Sequence, residues 1–246
     1  MASTYESGHT KIVSNAKLLL QQIEALGVNY NPSNDKLISS NLIDIYEKAI
    51  VLQENLTVLL PLYTLAVDER QQLFAPINKK TTKLKLAYKT TEGVTAAQLE
   101  DFMTIARKLK GYSKRKKQDA TLIEDFKTNY STSQMSFDYR TQNYGLLISL
   151  LENTPNYNPN EEEFKIAFLK NEKEMLLKAT HKVTENQIPL TNARGLRNHH
   201  FYTAEDNLVD TFNLAKDYIA TILDSNTLTY NAIVKIKFKK FYKAKR

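Results

Sequence analysis

The tetrapeptide NYNP stands at Asn29-Tyr30-Asn31-Pro32 and again at Asn156-Tyr157-Asn158-Pro159, 127 positions later in a chain of 246 residues. Asparagine is a favoured helix N-cap, and proline suits the first helical position because the amide it lacks would find no partner there. Each NYNP therefore reads as the end of one helix and the start of the next. Working outward from the first, Ile12, Ala16, Leu19, Leu20, Ile23 and Leu26 recur at helical spacing, and Gly27 is placed to end that helix in a left-handed conformation.

After the first NYNP comes a sustained heptad seam, Ile38, Leu42, Ile45, Ala49, Leu52, Leu56 and Leu59. Pro61 is expected to end this helix or start the next, which carries Ala66, Arg70, Phe74, Ile77, Leu84 and Tyr88, with a kink at Pro76. Thr95 and Gln98 form a capping box flanked by a Val94–Leu99 hydrophobic staple, opening a helix with Phe102, Ile105, Ala106 and Leu109 on one face.

Sliding the chain by about 127 positions aligns more than NYNP. Ala66, Arg70 and Phe74 fall on Ala193, Arg197 and Phe201, Pro61-Leu62 on Pro189-Leu190, and KLKGYSKRKK (108–117) on KFKKFYKAKR (237–246). A collinear series at nearly constant offset reads as an internal duplication. The second set of helices is expected at about 136–153, from Pro159 with Glu161, Glu162 and Glu163 in its first turn, and at about 190–223. Ile236 and Phe238 alternate with lysines, a pattern open to helix or strand.

The expected fold is all-α: two tandem four-helix bundles, residues 1–112 and 134–246, joined by a basic, polar linker at 113–133. Only six glycines and six prolines agree with long helices and few turns. Hydrophobic residues make up 42% of the chain, enough for a packed core.

The stretches TYESGHTKIVSNAK (4–17), NYNPS (29–33), STSQMSFDYRTQNY (131–144), NYNPNEEEFK (156–165) and PLTNARGLRN (189–198) resemble a family of duplicated all-helical proteins associated with Bacteroidota. The resemblance covers nearly the whole chain and implies the architecture. It brings no activity, cofactor or site residue. The dense lysine run at 235–246 is longer and more aromatic than that pattern.

Composition narrows the chemistry. There is no cysteine, so disulfides, thiolate catalysis and cysteine-bound zinc or iron–sulfur centres are excluded. No apolar run approaches the length of a membrane span, and residues 1–24 lack the apolar core of a signal peptide, so a cytoplasmic location is expected. Phosphate-binding glycine loops and hydrolase or metalloprotease signatures are missing, and neither an enzyme nor a cofactor is expected.

The net charge of +7 is unevenly spread. Residues 107–117 hold Arg107, Lys108, Lys110, Lys114, Arg115, Lys116 and Lys117 without an acid. Residues 235–246 hold Lys235, Lys237, Lys239, Lys240, Lys243, Lys245 and Arg246, again without one. The remainder of the chain is net negative. Cations of this density neutralise phosphates, and Tyr112, Phe238, Phe241 and Tyr242 are candidates to stack on bases. The plainer alternative is that they are solvated helix ends, where positive charge is locally favoured.

Other constellations point less sharply. His199-His200 diverge by about 100° on a helix, so they do not converge on one metal. Glu6 and His9 have the spacing of one half of a di-iron motif, but the other half is missing. Arg70 and Arg197 sit on apolar faces, where an anion contact competes with a half-buried arginine paired to an acid, Glu172 being a partner for Arg197. The expected function is a scaffold or adaptor contacting a polyanion, either nucleic acid or an acidic protein. The alternatives are self-assembly into an oligomer or filament through the long helical hairpins, and peripheral binding to anionic lipid.

Overall fold

A computed structural model describes residues 8–111 and 135–240, and among these the chain is helical and contains no strand. The α-helices are α1 (His9–Leu26), α2 (Ser39–Phe74), α3 (Ile77–Lys89), α4 (Ala96–Lys110), α5 (Phe137–Glu152), α6 (Ile166–Asn198), α7 (Leu208–Ile222) and α8 (Leu228–Lys235). Short 3-10 turns at Asp35–Leu37 and Glu162–Phe164 precede α2 and α6, and α6 runs into a π-helical turn, His199–Thr203.

The expected helix boundaries need two corrections. Pro61 and Pro189 end nothing: each lies inside a long helix, α2 of 36 residues and α6 of 33. Around Pro61 the chain has no glycine or other turn former to reverse it, and in both places the helix continues past the one missing amide. The hairpin expected between residues 38–59 and 62–88 is thus one helix followed by a break at Ala75-Pro76, with Pro76 at the N-cap of α3.

NYNP does not start a helix either. Asn34, not Asn31, caps the Asp35–Leu37 turn, its side chain accepting from the Lys36 amide at 3.0 Å. The tyrosine organises each loop. Tyr30 donates its hydroxyl to the Leu37 carbonyl at 2.7 Å, and Tyr157 donates to the Phe164 carbonyl at 3.0 Å, seven residues along in both cases. Burial pushes both phenols up to about 12, with Tyr218 adding to the effect at Tyr30 and Glu161 at Tyr157. Asn156 takes a left-handed φ of 63°, which asparagine tolerates better than most residues.

The helices gather into two compact units, residues 1–63 with 187–246 and residues 64–186. These are not the sequence halves 1–112 and 134–246, because each half contributes to both. In the first unit, Ile12, Ala16, Leu19 and Ile23 of α1 share a core with Leu42 and Ala49 of α2, Phe201, Tyr202, and Leu208, Phe212, Ala215 and Ile219 of α7. Leu56 packs with Leu190 and Ala193 in a smaller cluster of the same unit.

In the second unit, Phe74, Ile77, Leu84 and Tyr88 meet Phe102, Ala106 and Leu109 of α4, Tyr144, Leu147 and Leu151 of α5, and Phe164, Leu169 and Leu176. The Thr95–Gln98 capping box that opens α4 is formed, the Gln98 amide donating to Thr95 Oγ1 at 3.3 Å and the Thr95 amide to Gln98 Oε1 at 2.8 Å. Gly111 closes α4 with a φ of 79°.

The heptad seam of α2 lies inward at Leu42, Ala49 and Leu56. Opposite it, Val51, Val58 and Leu62 are exposed, at 62%, 63% and 47%. By length and composition, Ser39–Lys89 contains one stretch able to cross a membrane, 6% of which is buried.

Candidate functional site

The first basic segment begins in the last turn of α4, where Arg107, Lys108 and Lys110 face the negative end of the helix dipole. Arg107 is already engaged, its Nη2 on Glu100 at 2.5 Å and its Nε on the Met103 carbonyl at 3.0 Å. Lys110 reaches back to α3, donating to Thr82 Oγ1 at 2.6 Å. Burial and the nearby Lys85 hold the Lys110 ammonium below its usual range.

Helix α3 supplies cations that the sequence reading passed over. Its thirteen residues, INKKTTKLKLAYK, contain Lys79, Lys80, Lys83, Lys85 and Lys89 and no acid. These lysines alternate with core positions, the pattern of an ordinary polar face. Lys80 and Lys83 pair with Glu172 at 2.5 Å and Glu163 at 3.1 Å. Lys79, Lys85, Lys89 and Lys108 form no ion pair with a described residue. The Lys110–Thr82 bond brings the end of α4 against the middle of α3, where Lys110 also lies near Lys85.

The second basic segment is shaped differently. Helix α8 ends at Lys235, Ile236 is extended, and residues 237–240 form neither helix nor strand. Ile236 and Phe238 turn inward, 5% and 6% exposed, while Lys235, Lys237, Lys239 and Lys240 face outward. Phe238 packs on Phe212 with ring centroids 5.5 Å apart, so this ring is closed off inside the core and does not serve as the base-stacking group expected of it. Lys240 pairs with Asp210 at 2.5 Å. Burial favours the neutral acid there, but bonds from Lys240 and Asn207 outweigh it and hold the Asp210 carboxyl low. Tyr112, Lys114, Arg115, Lys116, Lys117, Phe241, Tyr242, Lys243, Lys245 and Arg246 lie outside the described residues.

The remaining candidates resolve into structural roles. Glu172 pairs with Lys80 and accepts from the Tyr144 hydroxyl, whereas Arg197 bonds Asn198 Oδ1 through Nε at 3.1 Å and Nη2 at 2.8 Å. Glu172 is therefore not Arg197's partner. Burial, followed by the bond to Glu172 and its charge, pushes the Tyr144 phenol far up. Arg70 lies 4.0 Å over the Phe137 ring and Arg140 lies 5.0 Å over Phe74, and the Nε of each is buried without a hydrogen-bond partner.

His199 bonds Thr203 Oγ1 at 3.0 Å, and His200 bonds the Ile45 carbonyl at 2.8 Å. His9 packs edge-on against Phe201 at 5.5 Å, and burial with the Arg197 charge lowers it to about 4. Among the described residues no group of three potential metal ligands lies together. An open cleft of about 720 Å³ in the second unit is lined by Lys83, Thr90, Thr91, Asn158, Glu161 and Glu163, among others. It contains no unpartnered buried polar side chain that would mark it as a ligand pocket. Compared with known protein families, curated proteins and solved structures, the chain matches none.

Proposed function

We propose that the chain is a non-enzymatic helical scaffold that contacts a polyanion, nucleic acid in the first instance, through its lysine-rich surfaces. The observation that carries this is the lysine content of α3 and of the end of α4: Lys79, Lys85, Lys89 and Lys108 form no ion pair with a described residue, and Lys110 meets α3 at Thr82. Like charges gathered without acids are unfavourable in the free protein and are relieved by a phosphate backbone.

Anisotropy titration with labelled single- and double-stranded nucleic acid across a salt series tests it. If about six cations meet phosphates, log K against log salt falls with a slope of about −5 on duplex DNA. Replacing Lys79, Lys85 and Lys108 with alanine should reduce that slope by about 3. A flat salt dependence, or no binding at low salt, rejects the proposal.

We also propose that the chain arose by duplication and that its copies exchange helices. Local geometry supports this at corresponding positions: the paired 3-10 turns, the paired tyrosine-to-carbonyl bonds, and prolines at like places in α2 and α6. A fourth correspondence joins the two copies. Phe137 packs edge-on against Phe74 at 4.8 Å under Arg70, and His9 packs on Phe201 at 5.5 Å beside Arg197. In each set the arginine and phenylalanine come from one half of the sequence and the other ring from the opposite half. Cleaving a protease site engineered within 112–134 should leave the halves co-eluting, since each unit draws on both; separation under native conditions counts against exchange.

One observation favours self-assembly as a second function. The exposed Val51 and Val58 of α2 correspond at 127 positions to Lys178 and Glu185 of α6, which are also exposed. One long helix retains an apolar outer stripe where its counterpart is polar. Light scattering at rising concentration tests whether that stripe pairs two copies, and a strict monomer rejects it.

A further inference from the structure

In the first unit, residues 236–240 lie against α1 and α7 as an extended peptide would lie in a binding groove. Three consecutive main-chain carbonyls accept from groove side chains rather than from backbone. Ile236 O accepts from Lys216 Nζ at 2.7 Å, Lys237 O from Asn15 Nδ2 at 2.8 Å, and Phe238 O from Asn213 Nδ2 at 3.2 Å. Lys216 also reaches Val234 O at 3.3 Å. Alternate side chains, Ile236 and Phe238, fill apolar pockets of the core, and Lys240 ends the run on Asp210.

Helix or sheet normally satisfies main-chain carbonyls internally. Here asparagines and a lysine from two helices do so, while pockets select every second side chain. That division of labour, main chain for affinity and alternate pockets for specificity, is how extended peptides are recognised. Asn15 and Asn213 have no other side-chain partner among the hydrogen bonds of the described residues. Among the described residues of the second unit the seal is a helix. There α4 packs against α5 as a continuous helix through Phe102, Ala106 and Leu109, its carbonyls satisfied within itself.

We propose that the α1–α7 groove is a binding site for an extended peptide of the pattern apolar–x–apolar–x–lysine, occupied here in cis by Ile236–Lys240, and that its occupant in trans is the same segment of a second copy of this chain. That segment is the one ligand whose fit to the groove is seen, and every further copy carries it. The cis segment holds the advantage through its effective concentration, of order millimolar for a short flexible connection. Exchange therefore emerges only when the cis contact is weakened or the protein is concentrated. The site is independent of the polyanion surface on α3 and α4, and within the segment the lysines face away from the pockets.

The test uses the full chain and a fluorescein-labelled peptide of residues 234–240, VKIKFKK, followed by anisotropy. An Ile236→Ala/Phe238→Ala variant should bind the peptide at least tenfold more tightly than the parent protein, because its own segment no longer competes. Adding Asn15→Ala and Asn213→Ala should reverse the gain. Lys240→Ala, which removes the segment's own ion pair to Asp210 and leaves the groove intact, provides a milder version should the double variant lose its helical circular dichroism, and it should shift binding the same way by a few-fold. Equal binding of a VKAKAKK peptide, or no gain in either variant, overturns the site. Parent protein that stays monomeric by light scattering at millimolar concentration overturns the second copy as occupant.

Discussion

The two compact units solve one packing problem with different closing pieces. The second unit is sealed by α4, a capped helix whose buried residues Phe102, Ala106 and Leu109 sit three and four apart. The first unit is sealed by a short helix, α8, and an extended segment that buries Ile236 and Phe238 two apart. A helix satisfies its own carbonyls and can be laid on any apolar face, whereas an extended segment requires partners at each residue. The second unit is therefore self-sufficient at its seal, and the first carries a lock that another peptide could fit.

The largest effect should come from the aromatic anchors of the two seals. Phe102→Ala removes a fully buried ring from a cooperative helix and should cost about 3–5 kcal/mol. Phe238→Ala should cost less, because undocking of residues 236–240 limits the loss. Urea denaturation with hydrogen exchange on both units measures this, and equal costs would erase the contrast drawn between the seals.

Next comes the Lys80–Glu172–Tyr144 network of the second unit, whose charged side chains are 11% and 17% exposed. Glu172→Ala leaves Lys80 half-buried without its counter-ion and should cost about 3 kcal/mol. An exposed cation of the first unit, Lys36, bridges Glu205 and Asp206 in the open, and Lys36→Ala should leave the melting temperature unchanged. A melting temperature lowered as much by the second change as by the first would contradict the burial argument.

The loop tyrosines should behave alike. Tyr30→Phe and Tyr157→Phe each remove one hydroxyl-to-carbonyl bond and leave the carbonyl short of a donor, about 1 kcal/mol apiece. Values differing by more than twofold would weaken the correspondence of the two NYNP loops.

A pH profile separates the units further. His9 is lowered from 6.5 to about 4 in the folded chain, so the native state holds it neutral while the unfolded state takes up a proton. The first unit should lose stability as pH falls from about 6.5 towards 4 and keep it above 6.5. In the second unit Phe137 packs on Phe74 under Arg70 as His9 packs on Phe201 beside Arg197, and His9→Phe should flatten that part of the profile. An unaltered slope in the variant would assign the acid sensitivity elsewhere. Smallest of all, Val51→Lys with Val58→Glu, which installs the residues found on α6, should change monomer stability by less than about 0.5 kcal/mol. A larger loss would mean that the stripe is already covered within the chain.

Much of the local structure was legible. Ile12, Ala16, Leu19 and Ile23 are buried where helical spacing put them, the Thr95–Gln98 box is closed, and the chain breaks at Pro76. The NYNP loops misled in one respect: the asparagine and proline looked decisive, but the tyrosine hydroxyl, reaching a carbonyl seven residues away, fixes the turn. Local propensity tables contain no term for such a bond. Pro61 misled similarly, since a proline is a poor helix residue but not a sufficient stop when nothing nearby can turn the chain.

The sequence by itself determined that the chain is helical, where α1, α4 and α5 begin and end, which stripe of these helices seeks burial, and that lysines cluster without acids. Tertiary structure alone decided which stripes meet. Hydrophobic burial is non-directional: a stripe such as Leu42–Ala49–Leu56 specifies that a face must leave water, not which face it joins. Hence α1 packs with α7 and α4 with α5, crossing the boundary that the sequence halves suggested, and Phe238 lies in the core of the first unit instead of among the exposed lysines.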